Sequence, residues 1–111
     1  LRAEKLQKRA ARTGFDWPDA GGARAKILEE LDEIAAAPVD QLEEEVGDLL
    51  FAVVNFARHL KIDAEAALRS ANAKFEHRFR AMEAMDSGFA TLCLEEKEAL
   101  WQRAKRAQAR A

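Results

Sequence analysis

Two stretches of this chain repeat one pattern of apolar and acidic residues. Ile27-Glu30-Leu31-Glu33-Ile34 is matched by Leu42-Glu45-Val46-Asp48-Leu49. The apolar positions recur at spacings of three and four, the period of an α-helix rather than a strand. With Ile27 at zero on a helix turning about 100° per residue, Glu30 and Glu33 fall at roughly 300° and 240°. With Leu42 at zero, Glu45 and Asp48 fall at the same two angles. A chain carrying both stretches must form two amphipathic helices whose acids border the apolar arcs.

The rest of the chain reads the same way. Gly and Pro are few, and Ala, Leu, Glu, Lys and Arg dominate, the composition of a helical protein. The spacing predicts an all-α fold, an antiparallel bundle of about five helices forming one domain over 1–111. A first helix covers about Arg2–Arg12, stopped by Gly14. After the loop Gly14-Phe15-Asp16-Trp17-Pro18, a second covers about Gly22–Ala36 and ends before Pro38. Asp40 is placed as the N-cap of a third helix, about Gln41–Lys61, with Glu43 completing a capping box. Phe51 lies opposite that helix's main apolar line, so the helix is expected to be buried nearly all round. Asp63 caps a fourth, about Ala64–Glu83, lined by Leu68, Ala71, Phe75, Phe79 and Met82. A loop around Asp86–Ala90 leads to a last helix, about Leu94–Ala109. Short loops favour antiparallel neighbours.

An antiparallel hairpin of the second and third helices brings Glu33 roughly level with Glu45 and Glu30 with Asp48, at about 1.5 Å of rise per residue. Two like charges at ~4 Å repel by about 4 kcal/mol at an effective dielectric near 20. Such a cluster must take up protons or a cation. Oxygen-only ligands select a hard ion, Mg²⁺ or Mn²⁺. The plainer reading, a solvated acidic face, fits Glu29, Asp32, Glu43 and Glu44, which project elsewhere.

From Ile27 to Ala57 there are nine carboxylates and no Lys or Arg. The bases lie on either side. This arrangement suits a metal-bound polyanion and excludes a duplex-binding face, which would be basic throughout. On the fourth helix Lys74 and Arg78 share one flank beside small residues, placed to clamp phosphates or to form ordinary salt bridges. Asn72 falls within the apolar arc, where a buried amide needs partners. Asn55 and His59 extend the Glu45/Asp48 stripe, His59 as a structural histidine. Trp17 and Trp101 are core aromatics or stacking surfaces for a base. The single cysteine, Cys93, excludes an internal disulfide and fits a reducing cytoplasm. No apolar run approaches the ~18 residues of a membrane span, and no signal peptide is visible.

Glu29-Glu30-Leu31-Asp32-Glu33 followed by Glu45-Val46-Gly47-Asp48 resembles the EExxE…ExxD signature of MazG-type nucleoside triphosphate pyrophosphohydrolases. GFDWP at 14–18, EEEVGDLLFAVVNFARHL at 43–60, ANAKFEHRFRAME at 71–83 and LEEKEALWQRAKR at 94–106 extend the resemblance over almost the whole chain. It is most similar to the catalytic C-terminal half of two-domain bacterial members, in keeping with a start at Leu1 rather than Met. The resemblance implies a homodimer and hydrolysis of nucleoside triphosphates to monophosphate and pyrophosphate, a house-cleaning of the nucleotide pool. It implies Mg²⁺ ligation and catalysis by Glu30, Glu33, Glu45 and Asp48. It further implies phosphate or nucleotide contacts by Lys74, Arg78, Trp101 and Lys105. Two features depart from the pattern. The connection around Ala35–Val39 is short, and Gln41 stands where some members carry a substrate-reaching Lys.

Three rivals remain at this level. One is a related all-α pyrophosphohydrolase dedicated to dCTP, dUTP or phosphoribosyl-ATP. Another is a non-catalytic dimerisation or regulatory module. The third, a di-iron bundle, wants Glu-x-x-His pairs, whereas His59 and His77 follow Phe56 and Lys74 at that spacing.

Overall fold

The computed structural model describes residues 2–110. Their regular elements are all helical: α1 (Arg2–Arg12), α2 (Ala20–Ala36), α3 (Leu42–His59), α4 (Ala64–Met85) and α5 (Leu94–Arg110). Single 3₁₀ turns lie at Val39–Gln41 and Phe89–Thr91.

The helix ends follow local chemistry. Gly14 adopts φ +88°, and the amides of Gly14 and Phe15 turn back to the carbonyls of Ala11 and Ala10. This closes α1 with the left-handed residue glycine tolerates best. Asp19 caps α2, accepting from the Gly21 amide at 2.8 Å, so the helix starts two residues before the expected Gly22. The Gly22 position has its own reason for lacking a side chain. A Cβ there would sit 2.9 Å from the ring carbons of Trp17, so glycine lets the indole lie against the first turn of α2.

Between α2 and α3 the expected capping box is absent. The Gln41 amide donates to the Pro38 carbonyl at 2.9 Å, so the chain already turns at Asp40. Asp40 sits inside a 3₁₀ turn and α3 follows Gln41 with no side-chain cap. Asp63 does cap α4, accepting from the amides of Glu65 and Ala66 at 3.0 and 3.2 Å. On α5 a cysteine takes the place of the usual hydroxyl. The Cys93 amide donates to Glu96 Oε1 at 3.1 Å while Cys93 Sγ accepts from the Glu96 amide at 3.5 Å, a reciprocal box.

The chain divides into two units, residues 1–67 and 68–111. In the first, α2 and α3 pack together and α1 lies against α3. Ala23 and Ala52 are buried, and small side chains at such contacts allow close approach of helices. Gln7 of α1 is also buried, its Nε2 donating to the Phe51 carbonyl at 2.9 Å. The expectation that α3 would be buried nearly all round is corrected. Leu50 is 61% exposed, and Val46, Phe51 and Val53 are over 40% exposed. α2 and α1 cover two sides of α3 and leave the arc carrying Val46, Leu50 and Val53 open. Leu28 and Leu31 of α2 are similarly exposed.

In the second unit Met82 and Ala104 are buried. Phe75 stacks on Phe79 with centroids 5.9 Å apart, Trp101 tilts against Phe75 at 5.7 Å, and Phe89 meets Phe79 edge-on at 5.5 Å. This packing gathers towards the C-terminal half of α4. Leu68 is left 62% exposed and Asn72 is exposed, so Asn72 is not the buried amide expected.

One carboxylate secures the α1–α2 loop to the end of α3. Asp16 Oδ1 accepts from Arg58 Nη2, from His59 Nε2 at 2.9 Å and from the Trp17 amide at 2.9 Å. His59 is thus a satisfied structural histidine. The Arg58 hydrogen bond is the main force holding the Asp16 pKa down at about 2, against 3.8 ordinarily. A carboxyl depressed in the folded state adds stability that is present above pH 3.8 and lost as pH falls through about 2. Asp16→Asn should therefore lower stability at pH 7 by about 1 kcal/mol, the partly exposed pair being screened. Thermal unfolding should show a Tm gap between the two proteins that closes towards pH 2.

Candidate metal centre and adjoining pocket

The two matched helices deliver their acids to one place. Glu30 of α2 and Glu45 and Asp48 of α3 each offer a carboxylate oxygen, all within 4.8 Å of one another. Glu30 is buried, with 3% exposure, Glu45 is half-buried and Asp48 is exposed. One oxygen of Glu30 and one of Glu45, Oε2 in each case, are buried with no hydrogen-bond partner. Unpaired buried carboxylate oxygens are costly. A hard cation would satisfy them, and an all-oxygen donor set of this size fits Mg²⁺ or Mn²⁺ chemistry.

Glu33 adjoins the trio rather than completing it. Its carboxyl interacts with Glu30 and Glu45, and its pKa is pushed up to about 7, first by the charge of Glu30, then by desolvation and a hydrogen bond with Glu45. Three of the four expected acids thus gather, with Glu33, itself exposed, beside them. Glu29 does not: its Oε1 lies 3.5 Å from Lys26 Nζ, and its side chain is 57% exposed.

Lys26 is the residue that acid-spacing arguments passed over. Its Nζ lies 3.2 Å from Glu30 Oε1, and the hydrogen bond to Glu30 raises the Lys26 pKa. The signal was present as an i, i+4 pair on α2, just outside the segment that lacks bases.

Beside the carboxylates a pocket of about 630 Å³ opens between α1, the α1–α2 loop, α2 and α3. Glu30, Asp48 and Lys26 line it, together with Gln7 and Asn55 and the rings of Phe15, Trp17 and Phe51. Asn55 Oδ1 accepts from Arg58 Nε at 3.1 Å and Nη2 at 2.7 Å, tying this wall to the Asp16 anchor. A volume in this range with apolar walls and a few convergent polar groups suits a small molecule.

The expected phosphate residues lie in the second unit. Arg78 Nε donates to Gln108 Oε1, and its guanidinium stands 5.2 Å from the Trp101 ring centroid, a cation–π distance. The structure therefore brings Arg78 and Trp101 together. Lys74 and Lys105 are exposed, each four residues from a member of that pair on α4 or α5.

Fold and site together define an all-α domain that gathers acids from two adjacent helices beside a pocket. A family model described as the MazG nucleotide pyrophosphohydrolase domain matches residues 23–82, and the chain belongs to that family. It is 49% identical over 116 aligned residues to a nucleoside triphosphate pyrophosphohydrolase of Escherichia coli (strain K12), a match covering 96% of this chain and 44% of that protein. It is 44% identical over 108 residues to the nucleoside triphosphate pyrophosphohydrolase/pyrophosphatase MazG of Thermotoga maritima, covering 93% of this chain and 42% of that protein. An uncharacterized Bacillus subtilis protein, YabN, is 44% identical over 73 residues, covering 62% of this chain. The chain spans under half the length of these relatives.

The Glu33 carboxyl gives a pH signature. A carboxyl raised in the folded state contributes stability that is full below its ordinary value of 4.5 and is lost as pH rises through about 7. In the metal-free protein the Tm should fall across that interval. Glu33→Gln should flatten the profile, and added Mg²⁺ should raise the Tm most at the alkaline end, read by scanning calorimetry.

Proposed function

We propose that this domain hydrolyses nucleoside triphosphates to monophosphate and pyrophosphate with Mg²⁺, Mn²⁺ serving as a substitute. The observation carrying this reading is the trio Glu30, Glu45 and Asp48, with two unpaired buried oxygens, in a chain that belongs to the MazG family. Glu30, Glu45 and Asp48 would hold the ion, with Glu33 beside them. When bound, it supplies positive charge to phosphate oxygens and lowers the pKa of a water.

The chain's own residues account for the rest. Glu33 sits next to Glu30 and Glu45, a position from which a free carboxylate oxygen would take the proton from the water that attacks the α-phosphorus. The bond to the β-phosphate bridging oxygen breaks and pyrophosphate leaves. Lys26 pairs with Glu30 and lines the pocket, where its ammonium would also meet substrate phosphates. Lys74, Arg78, Trp101 and Lys105 of the second unit keep the phosphate or nucleotide contacts that the family resemblance assigns them, with Trp101 stacking on the Arg78 guanidinium. The exposed apolar arcs of α2 and α3, Leu28, Leu31, Val46, Leu50 and Val53, support a homodimer, since burial of such a surface is favourable. The setting is the nucleotide pool of the cytoplasm, and among the described residues no helix is long and apolar enough to cross a membrane.

Pyrophosphate release from a panel of triphosphates, with and without Mg²⁺, tests this directly. Glu30→Gln, Glu45→Gln and Asp48→Asn should each lower kcat by at least about a hundredfold while circular dichroism stays helical. Lys26→Met should mainly raise KM. Full turnover in all three acid variants would overturn the reading. Absence of both Mg²⁺ and triphosphate binding would favour a non-catalytic module instead.

A further inference from the structure

The bases that precede the acidic segment have no part in the chemistry above. With the buried Gln7 of α1 at zero, Lys5, Arg9, Arg12 and Arg2 fall at about 160°, 200°, 140° and 220°. All four are exposed, and they form a strip along about 15 Å of helix rise. No carboxylate shares that arc. Glu4, the one acid of α1, falls at about 60° and pairs with Lys8 at 2.9 Å. Among the described residues none of the four strip bases makes an ion pair, whereas Lys26 pairs with Glu30 and Arg58 with Asp16. Arg2 and Lys5, Lys5 and Arg9, and Arg9 and Arg12 stand three or four residues apart, and like charges at those spacings oppose the helix. Arg9 and Arg12 lie in its last turn, where the helix dipole favours them. Arg2 and Lys5 have no such compensation.

The rest of the first unit gives this strip a use. Over residues 1–67 nine bases stand against fourteen carboxylates. Glu30, Glu33, Glu45 and Asp48 gather at the candidate metal centre, and Glu29, Asp32, Asp40, Glu43 and Glu44 are exposed in the same segment. A surface of that sign repels an approaching polyanion. α1 is the exception, and it also walls the pocket: Leu6, Gln7 and Ala10 line it together with Glu30 and Asp48. Lys5 and Arg9 are the chain neighbours of Leu6 and Ala10. A field from unpaired charges extends about 10 Å at 0.1 M salt and farther in dilute salt. Leu6 alone adds a large apolar side chain at the border of the strip, so the face lacks the apolar half of a membrane-seeking helix.

We propose that the outer face of α1, formed by Arg2, Lys5, Arg9 and Arg12, is an approach surface for the triphosphate. It draws the polyanion towards a unit whose other charges repel it. This rests on the triphosphate reading above. The strip acts on the encounter rather than on the reacting atoms. Its contribution therefore lies in kcat/KM, not in kcat, and is screened out by salt.

The test follows kcat/KM at saturating Mg²⁺, for the triphosphate of the panel that turns over fastest, across ionic strengths of about 0.02 to 0.3 M. Wild-type kcat/KM should fall by roughly tenfold over that range while kcat stays within about twofold. Lys5→Gln/Arg9→Gln should lower kcat/KM about fivefold at low salt, spare kcat and converge on wild type at high salt. Both side chains are exposed, so the helical circular dichroism should not change. Lys5→Arg/Arg9→Lys, which keeps the charges, should behave as wild type. Arg24→Gln/Lys61→Gln removes two other exposed bases of the same unit and should cost less than about twofold. A wild-type kcat/KM indifferent to salt would overturn the proposal. So would a loss in the strip variant that persists at high salt, or an equal loss in the Arg24/Lys61 variant. Stopped-flow association of the α,β-methylene analogue, read by tryptophan fluorescence, repeats the comparison without turnover. If wild type binds the analogue with the expected salt dependence but hydrolyses no triphosphate, the catalytic reading fails and the approach surface stands. If it binds none, both fail.

Discussion

Repulsion among carboxylates is the constraint on which the rest of this structure turns. Packing α2 against α3 brings Glu30, Glu45 and Asp48 within 4.8 Å and sets Glu33 beside them. Each like-charge pair at such a distance costs several kcal/mol at an intermediate dielectric. Two devices offset that cost in the chain itself: Lys26 beside Glu30, and a Glu33 carboxyl that keeps its proton to about pH 7. Neither satisfies the second oxygens of Glu30 and Glu45. Under the proposed function a divalent cation would complete the hairpin, and the binding energy of the ion would become stability of the α2–α3 contact.

The same packing divides the apolar residues between two uses. Small buried side chains, Ala23 and Ala52, allow α2 and α3 to meet closely. The larger ones on those helices, Leu28, Leu31, Val46, Leu50 and Val53, stay exposed. In α1 and the following loop, Gln7, Phe15 and Trp17 serve the pocket, and the loop's placement rests on Asp16 and on the missing Cβ of Gly22. A short loop with one well-placed carboxylate is sufficient because Arg58 and His59 are consecutive at the end of α3 and both reach it.

The acids were legible beforehand because their geometry is local. Helix periodicity fixes the angle of each side chain, and a short connection fixes the axial level of the two helices. From those alone Glu30, Glu33, Glu45 and Asp48 could be brought together and a hard cation argued for. Helix count and most boundaries followed from spacing, Gly14 and Asp63. The Asp40 cap failed because a capping-box pattern does not reveal that Pro38 has already started a 3₁₀ turn. The all-round burial of α3 and the buried Asn72 failed for a different reason. An apolar arc says which face can be covered, not whether something covers it.

The sequence by itself determined the two amphipathic helices, the matched register of their carboxylates and the kinship with the MazG family. These depend on dihedral periodicity and on residue identity, both of which are written along the chain. Tertiary packing alone decided that Glu30 is buried while Asp48 is exposed, that Lys26 rather than a distant base meets Glu30, and that Asp16 ties the loop to Arg58 and His59. It also decided that Gln7, far from every acid in sequence, is buried against the Phe51 carbonyl and lines the same pocket. Burial and long-range hydrogen bonds depend on which helices touch, and no local pattern encodes that.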